Sequence, residues 1–179
     1  RRSFRAMGTT VELLVETGDA GDALDAAEEE FERLEQTLSR FRPGSELSRL
    51  NRDGAIEASP DLLDVVERAL EGRERTGGRF DPTVHDALVA AGYDRTFDEV
   101  APDLPRGAPP AKCGGRVDID GRRISLTNGV RLDLGGIGKG FAAERAAELL
   151  ACAGPCLVSA GGDVAVRGVP AEGVWPVAV

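Results

Sequence analysis

Hydrophobic residues recur at helical spacing in four segments of the chain. Between residues 20 and 38 they are separated by four, three, four, three and four positions, which places one apolar stripe along a helix. A second helix is predicted over residues 60–76, because Ser59 is a favourable N-cap and the proline that follows suits the first helical position. Two more helices are predicted over residues 82–91 and 139–152.

Segments rich in apolar and β-branched residues predict the strands. Residues 4–16 are predicted to form one strand, with Gly8 as a bulge. Two turn pairs, Asp-Gly and Asn-Gly, predict a three-stranded meander between residues 116 and 134. The remaining predicted strands, with those of the meander, cover residues 117–120, 124–126, 130–134, 157–159 and 164–167. Helices and hairpins are partly segregated along the chain, which predicts an α+β fold with a mixed, largely antiparallel sheet and about four helices.

The length of 179 residues fits a single domain over residues 1–179. Residues 94–110 contain four prolines and are predicted to form a surface loop. Residues 175–179 have the apolar pattern of a strand, so we expect the domain to continue beyond them.

Composition excludes several classes of function. The net charge of −9 argues against nucleic acid as the main partner. No apolar run of about 18 residues occurs, so no membrane-spanning segment is predicted. His85 is the only histidine and the three cysteines lack zinc-site spacing, which excludes a metal site built on these residue types. Only two of the 22 basic residues are lysines, so Lys139 is conspicuous in its glycine-rich segment.

Residues 132–144, Leu-Asp-Leu-Gly-Gly-Ile-Gly-Lys-Gly-Phe-Ala-Ala-Glu, carry the strongest local signal for a ligand. Glycines admit a ligand close to the backbone, and the N-terminus of the following helix offers amide N–H groups to phosphates. Lys139 adds a full positive charge, and Asp133 would bind a polar group or help to hold a cation. A tight strand-to-helix turn without a ligand explains the same pattern.

This segment shares features with two nucleotide-binding motifs. The P-loop pattern is not met, because Asp133 and Gly140 stand where it requires glycine and Ser or Thr. The looser dinucleotide pattern is met by Gly138-x-Gly140-x-x-Ala143, so a dinucleotide-binding oxidoreductase domain is an alternative.

Three weaker signals lie elsewhere. Residues 77–83 place two glycines beside Phe80 and Asp81, which would cap a helix or line the site of a planar ligand. Residues 39–51 mix Arg, Ser and Asn in a predicted loop, which suits a polar or anionic ligand or a solvated surface. Residues 159–163 place two glycines between strands, as a tight turn would.

The order of these signals is more specific than any one of them. The segments are Ala6-Met-Gly-Thr9, Leu38-Ser-Arg-Phe-Arg-Pro-Gly-Ser-Glu-Leu-Ser-Arg-Leu-Asn51, Phe80-Asp-Pro-Thr-Val84, Leu132-Asp-Leu-Gly-Gly-Ile-Gly-Lys-Gly-Phe141 and Gly161-Gly-Asp163. In this order they resemble the motifs of the FAD:protein FMN transferases, the ApbE-like family. The resemblance implies the ApbE fold and an enzyme that binds FAD with Mg2+. Such an enzyme cleaves FAD, moves FMN onto a Ser or Thr of a partner redox flavoprotein and releases AMP.

The resemblance also implies site residues. FAD contacts are implied for Met7, Phe41, Arg79, Phe80, Asp81, Asp133 and Lys139. Phe41 would stack on a planar ring, and Lys139, where several relatives carry Glu, would neutralise phosphate charge. Gly136 falls at a magnesium-ligand position and would offer its backbone carbonyl. No catalytic residue is implied within these motifs.

ApbE-like proteins continue with motifs that this sequence does not contain. One is a His before an Asp-Pro segment, and the other is an Ala-Asp-Ala-x-x-Thr-like motif that supplies side-chain metal ligands. We therefore expect an incomplete metal site and impaired activity in this chain, and a non-catalytic FAD-binding protein is the alternative. Family members are bacterial and occur in the cell envelope, as lipoproteins or periplasmic-type proteins, or in the cytoplasm.

Overall fold

The computed structural model describes residues 1–16, 19–94, 113–175 and 177. The chain forms two compact units: the first comprises Arg1–Glu35 and Gly138–Val179, and the second comprises Gln36–Ile137. The elements in chain order are β1 (Arg2–Ala6), β2 (Thr9–Val15), α1 (Gly21–Leu38), α2 (Glu46–Asp53), β3 (Ala55–Glu57), α3 (Pro60–Arg75), α4 (His85–Ala90), β4 (Val117–Asp120), β5 (Arg123–Leu126), α5 (Gly138–Leu150), β6 (Cys156–Ala160) and β7 (Asp163–Arg167). The predicted α+β class is confirmed, while the single domain over residues 1–179 stays a prediction.

The first unit is built on a four-stranded antiparallel sheet in the order β1-β2-β6-β7. Val11 and Leu13 of β2 are fully buried, and the ring of Phe31 in α1 packs edge-on against Phe4 of β1 with centroids 5.6 Å apart. Helix α5 packs on β6 and β7 through a face of small buried residues. These are Ala142, Ala143, Ala146 and Ala147. Small side chains allow the helix to lie close to the sheet, which fixes its N-terminus relative to the strands.

The single strand predicted over residues 4–16 is wrong, because the chain turns back at Met7 and Gly8. Strands β1 and β2 form an antiparallel hairpin in which Ala6 faces Thr9 across a two-residue loop. Met7 has a φ of 49° and Gly8 a φ of 71°, and positive values at both positions define the primed turn that matches strand twist. Asn-Gly is the usual sequence for this turn. Because methionine stands in place of asparagine, the sequence did not predict the turn.

The second unit contains a three-stranded antiparallel sheet in the order β3-β5-β4. The predicted third strand of the meander, residues 130–134, is not a strand, and β3 pairs with β5 instead. The side chain of Asn51 explains the difference. Its Nδ2 donates to the Leu132 carbonyl at 2.8 Å, and its Oδ1 accepts the Leu132 N–H at 2.7 Å. Asn51 thus satisfies both backbone groups that a neighbouring strand would have bound.

Helix α2 replaces part of the loop predicted over residues 39–51. Ser45 caps it by accepting the Ser48 N–H, and Gly54 ends it with a φ of 76°. Leu47 and Leu50 form the buried face of this helix. The sequence signals of a helix start and stop are therefore present, but within eight residues the apolar repeat is too short to detect.

Helix α3 confirms the prediction over residues 60–76, since Ser59 accepts the Leu62 N–H as its cap. The helix predicted over residues 82–91 begins later, at His85, because Asp81 binds the backbone of Thr83 and forms a turn there. The other predicted helices are observed as α1 and α5 and the C-terminal strands as β6 and β7.

Two predictions concern residues outside those described. The loop over residues 94–110 falls almost wholly on residues 95–112, and the strand over residues 175–179 includes residues 176, 178 and 179. Among the described helices, none has both the length and the apolar character that crossing a membrane requires.

Candidate functional site

Four of the eight predicted site residues fall into two clusters, one in each unit. The others lie in the second unit outside its cluster: Arg79, Phe80, Asp81 and Gly136. In the first unit the glycine cluster comprises residues 7–9, 139–140 and 161–163. A methyl group added at Gly161 would lie 2.6 Å from Thr9 Oγ1, so the Met-Gly-Thr and Gly-Gly-Asp motifs are in direct contact. A methyl group at Gly140 would lie 3.7 Å from Asp163 Oδ1, which places that carboxylate beside the first turn of α5. Three of the five motifs therefore meet within one unit.

Met7 occupies an unusual backbone conformation within the glycine cluster. Its φ of 49° makes it the one non-glycine residue with positive φ among the described residues. Its N–H donates to Glu35 Oε2 at 3.0 Å, and its side chain is half-buried. The left-handed region costs a residue with a Cβ about 1–2 kcal/mol, so the fold keeps a methionine where glycine or asparagine would be less strained.

Lys139 is the second residue of α5, between two glycines. The first turn of this helix carries no acidic side chain of its own, and Gly138 and Gly140 have no side chains to cover the backbone. Backbone N–H groups at a helix start bind anions, and a lysine there adds a full charge. This arrangement suits the phosphate groups of a nucleotide.

In the second unit the Arg40 cluster comprises Arg40, Phe41, Tyr93, Asp133 and Gly135. Arg40 Nε lies 2.5 Å from Asp133 Oδ2, and the two side chains are 6% and 9% exposed. Among the described residues, Arg40 Nε has no hydrogen-bond partner, so its contact with Asp133 is an ion pair and not an aligned hydrogen bond. Arg40 Nη2 donates to the Tyr93 carbonyl at 2.6 Å. The guanidinium carbon lies 4.2 Å from the Phe41 ring centroid and 4.7 Å from that of Tyr93, within cation–π range.

Asp133 connects this cluster to the glycine-rich segment. Its backbone N–H donates to the Pro82 carbonyl at 2.8 Å, and its Oδ1 accepts the Gly135 N–H at 2.9 Å. One carboxylate oxygen thus orders the loop and the other faces Arg40. The side chain is held in one orientation at the start of the glycines.

Phe80 and Gly136 are in contact. The Phe80 ring lies between two glycines: a methyl group at Gly136 would be 2.9 Å from Cε2, and one at Gly72 would be 3.2 Å from Cδ1. The ring is half-buried, and the flanking Arg79 is exposed. Gly136 therefore has no room for a side chain unless Phe80 moves, and its role as a backbone metal ligand stays a prediction.

Asp81 is engaged by its own chain. Its Oδ1 accepts the Thr83 N–H at 2.9 Å and the Thr83 hydroxyl at 2.7 Å. Thr83 Oγ1 in turn accepts the N–H groups of Gly114 and Gly115, and Arg73 Nη1 donates to the Gly115 carbonyl at 2.8 Å. These bonds fasten residues 113–116 to the end of α3, so Asp81 has a structural role whether or not it contacts a ligand.

The metal-donor side chains of the described residues do not gather into a metal site. Among residues 1–16, 19–94, 113–175 and 177, no group of three or more His, Cys, Asp or Glu side chains is placed to hold a metal ion. The described residues alone thus do not fit a complete Mg2+ site, which needs several oxygen ligands.

Three residues with defined roles were not among the predicted site residues. Arg40 is adjacent to Phe41 and differs from other loop arginines only through its tertiary contacts. Tyr93 reaches the cluster from 53 residues away. Thr83 was inside a motif, but hydroxyl side chains are common in turns, so no local signal marked it.

The dinucleotide-binding alternative is wrong. It requires a parallel strand–helix–strand unit around Gly138. Residues 130–134 do not form a strand, and every strand pairing within the described residues is antiparallel.

Comparison with known proteins agrees with the order of the motifs. The family model described as "ApbE family" matches residues 7–179. A curated relative, the FAD:protein FMN transferase of Treponema pallidum, is 30% identical over 175 residues, which cover 84% of this chain and 46% of the relative.

Solved structures share the fold. The flavin transferase ApbE from Vibrio cholerae, in its H257G mutant, matches with a TM-score of 0.79 at 23% identity, over 99% of this chain and 66% of that one. The ApbE protein of Thermotoga maritima matches with a TM-score of 0.79 at 25% identity, over 98% and 60%. The apo form of the Pseudomonas stutzeri flavinyl transferase ApbE matches with a TM-score of 0.81 at 21% identity, over 99% and 64%.

This chain therefore spans less than half of the curated relative's length and at most 66% of these solved chains. The family model nevertheless includes all five motifs from Met7 onward. Residues of four of those motifs, together with Tyr93, form the two clusters. The chain therefore belongs to the ApbE family.

Proposed function

We propose that this chain is the FAD-binding part of an FAD:protein FMN transferase. The proposed reaction cleaves FAD, attaches FMN to a Ser or Thr hydroxyl of a partner flavoprotein and releases AMP. The hydroxyl oxygen bonds to the phosphorus of the FMN half, the pyrophosphate P–O bond breaks, and the hydroxyl proton passes to a base. No residue of this chain is assigned as that base.

One observation carries the proposal. The family match runs through all five motifs, and residues of four of those motifs form the glycine cluster and, together with Tyr93, the Arg40 cluster. The curated relative named for this activity supports the substrate, FAD.

The first unit supplies groups suited to phosphate. Lys139 and the N–H groups at the start of α5 would bind the pyrophosphate and offset its charge as the P–O bond breaks. Met7 would contact the flavin from the hairpin turn, where the fixed backbone limits its freedom. Glycines at 161 and 162 allow the ligand to approach the backbone there.

The second unit supplies groups suited to a planar ring and to polar edges. Phe41 is fixed by its contact with Arg40 and would stack on a ring of FAD through a remaining face. Asp133 would accept hydrogen bonds from FAD, and Arg79, Phe80 and Asp81 would line the same ligand. These contacts hold and orient FAD.

Mg2+ belongs to the proposal through the family resemblance. When bound, it would neutralise phosphate charge in the transition state. Since the described residues do not complete a Mg2+ site, the Gly136 carbonyl would need further ligands from another part of the protein or a partner chain.

The first test is a titration of this chain with FAD, followed by flavin fluorescence, with Mg2+ and with EDTA. We expect saturable binding. Lys139→Met should weaken it about tenfold, the effect of losing one charge-assisted contact. Arg145→Met, in the same helix but paired with Glu148, is the matched control and should leave the affinity unchanged. Absence of FAD binding by the wild-type chain and by the longer protein would refute the proposal.

The second test concerns transfer. The complete protein, incubated with FAD, Mg2+ and a Ser- or Thr-containing acceptor peptide, should raise the peptide's mass by one FMN moiety. An unchanged peptide mass, with FAD binding intact, would favour the alternative of a non-catalytic FAD-binding protein. That alternative is motivated by the lack of a group of three or more metal-donor side chains among the described residues.

A further inference from the structure

Arg40 is a buried charge in a protein whose other arginines are mostly at the surface. Its side chain is only 6% exposed. A buried charge is stable only when it is paired, and a pair of apolar residues would fill the same volume without that requirement. The presence of an arginine here therefore calls for a role that packing alone does not supply.

The contacts of Arg40 converge on one predicted FAD contact. Its Nε faces Asp133 Oδ2 at 2.5 Å, while its Nη2 is fixed by the Tyr93 carbonyl at 2.6 Å. The rings of Phe41 and Tyr93 lie against the guanidinium and prevent it from swinging away. Arg40 is thus anchored independently of Asp133, and it can hold that carboxylate rather than follow it.

Asp133 is constrained from its other side as well. Its Oδ1 accepts the Gly135 N–H at 2.9 Å, in a loop where a methyl group at Gly135 would lie 3.0 Å from the same oxygen. With one oxygen on the loop and the other against Arg40, rotation about the carboxylate bond would break both contacts. The unused lone pairs consequently point in fixed directions.

We infer that Arg40 is a positioning residue that orients Asp133 for FAD. This inference rests on the proposed function. Arg40 acts through Asp133 and not by touching FAD, so its effect on FAD affinity requires the Asp133 carboxylate. A lysine would keep the charge but would lose the planar fork that serves Asp133 and the Tyr93 carbonyl together.

A double-mutant cycle on FAD affinity tests the inference. The variants are Arg40→Met, Arg40→Lys, Asp133→Asn and the double variant Arg40→Met/Asp133→Asn, each titrated with FAD below its own Tm. Arg68→Met is the matched control, because Arg68 forms an exposed ion pair with Asp64 in the same unit. We expect Arg40→Met to raise the Kd for FAD about tenfold, Arg40→Lys to raise it less, and Arg68→Met to leave it unchanged.

The decisive comparison is made in the Asp133→Asn background. There we expect Arg40→Met to change the Kd by less than twofold, since the group through which it acts is gone. The double variant contains no unpaired buried charge, so it should recover Tm relative to Arg40→Met alone and remain measurable. A merely structural arginine would move Tm and leave the Kd unchanged.

Three results would overturn the inference. One is an unchanged Kd in Arg40→Met. Another is a tenfold effect that persists in the Asp133→Asn background, which would mean that Arg40 contacts FAD directly. The third is a lack of FAD binding by both the wild-type chain and the longer protein. That result would refute the proposed function itself, and it would be seen before any variant is compared.

Discussion

The two units hold their predicted FAD contacts by different means. In the first unit, strand register does so: Ala6 faces Thr9 at one turn and Ala160 faces Asp163 at the other, and Gly161 lies where a side chain would meet Thr9. In the second unit, side chains bind backbone or one another, as Asn51 binds Leu132. The first unit should therefore be sensitive to added atoms, and the second to the loss of polar atoms.

The difference follows from the amount of regular structure near each cluster. Four paired strands satisfy the backbone of the first unit, whose turns are short. In the second unit, residues 130–137 run without a strand, so several of their backbone groups are bound by side chains such as those of Asn51 and Asp133.

Removing the Asn51 amide is expected to destabilise the second unit more than any other substitution considered below. Asn51→Ala leaves the N–H and carbonyl of Leu132, which is fully buried, without their side-chain partners. We expect the free energy of unfolding to fall by about 2–5 kcal/mol, measured by urea denaturation. Arg52→Ala, at the exposed neighbouring position, should change it by less than about 0.5 kcal/mol. Equal effects of the two substitutions would contradict the account.

Adding one methyl group should damage the first unit. Gly161→Ala places a Cβ 2.6 Å from Thr9 Oγ1 at a φ of 61°, whereas Gly8→Ala meets nothing within 4 Å at a φ of 71°. Both incur about 1–2 kcal/mol of backbone strain, and we expect Gly161→Ala to lose about 1–2 kcal/mol more. Thr9→Ala should recover part of that excess in the double variant. If Gly8→Ala is as destabilising as Gly161→Ala, the first unit is not specifically sensitive to atoms added at the contact with Thr9.

Periodic and capped elements could be predicted from the sequence. Helix α1 has a long apolar repeat, and α3 has both a repeat and the Ser59-Pro60 start, so each needs only local information. The hairpin was missed because the residue in its turn is Met7 and not the usual asparagine. The absence of a strand at residues 130–134 depends on Asn51, 81 residues away, which no local pattern reveals.

The site was predictable as a set of motifs but not as a set of contacts. The sequence did not predict that Gly161 lies against Thr9 or that Gly136 lies against Phe80. Arg40 was not expected, because its burial depends on Tyr93 and on a segment more than 90 residues later. The role of each motif residue in binding FAD stays a prediction.

Met7 provides a sharper test, because stability and binding should change in opposite directions. Met7→Asn replaces a strained residue with one that favours a primed turn. We therefore expect the free energy of unfolding to rise by about 0.5–1 kcal/mol. The same change removes the predicted flavin contact and should weaken FAD binding. Met7→Leu, which keeps the apolar side chain and the strain, is the control and should leave stability nearly unchanged. Unaltered FAD affinity in Met7→Asn would exclude Met7 as a contact.

The smallest expected effect is a dependence of the free energy of unfolding on pH that originates at Asp86 in the second unit. Burial by itself raises the pKa of Asp86, but His85 Nδ1 at 2.8 Å and Arg131 Nε at 2.7 Å outweigh it, so the pKa lies below its ordinary value. A carboxyl with a lowered folded pKa stabilises the fold above its unfolded pKa of about 3.9, and this contribution disappears as the pH falls through the folded pKa. Asp86→Asn should therefore lower stability at pH 7 and flatten its decline between about pH 5 and pH 2.

The matched control for Asp86 is Asp120→Asn, which removes one exposed carboxylate from the end of β4 in the same unit. Urea denaturation of the three proteins across that pH range measures the slope for each. A wild-type slope no steeper than that of Asp86→Asn would show that the Asp86 ion pairs contribute nothing to the fold. A slope reduced only in Asp86→Asn would mean that the second unit relies on charge as well as on hydrogen bonds.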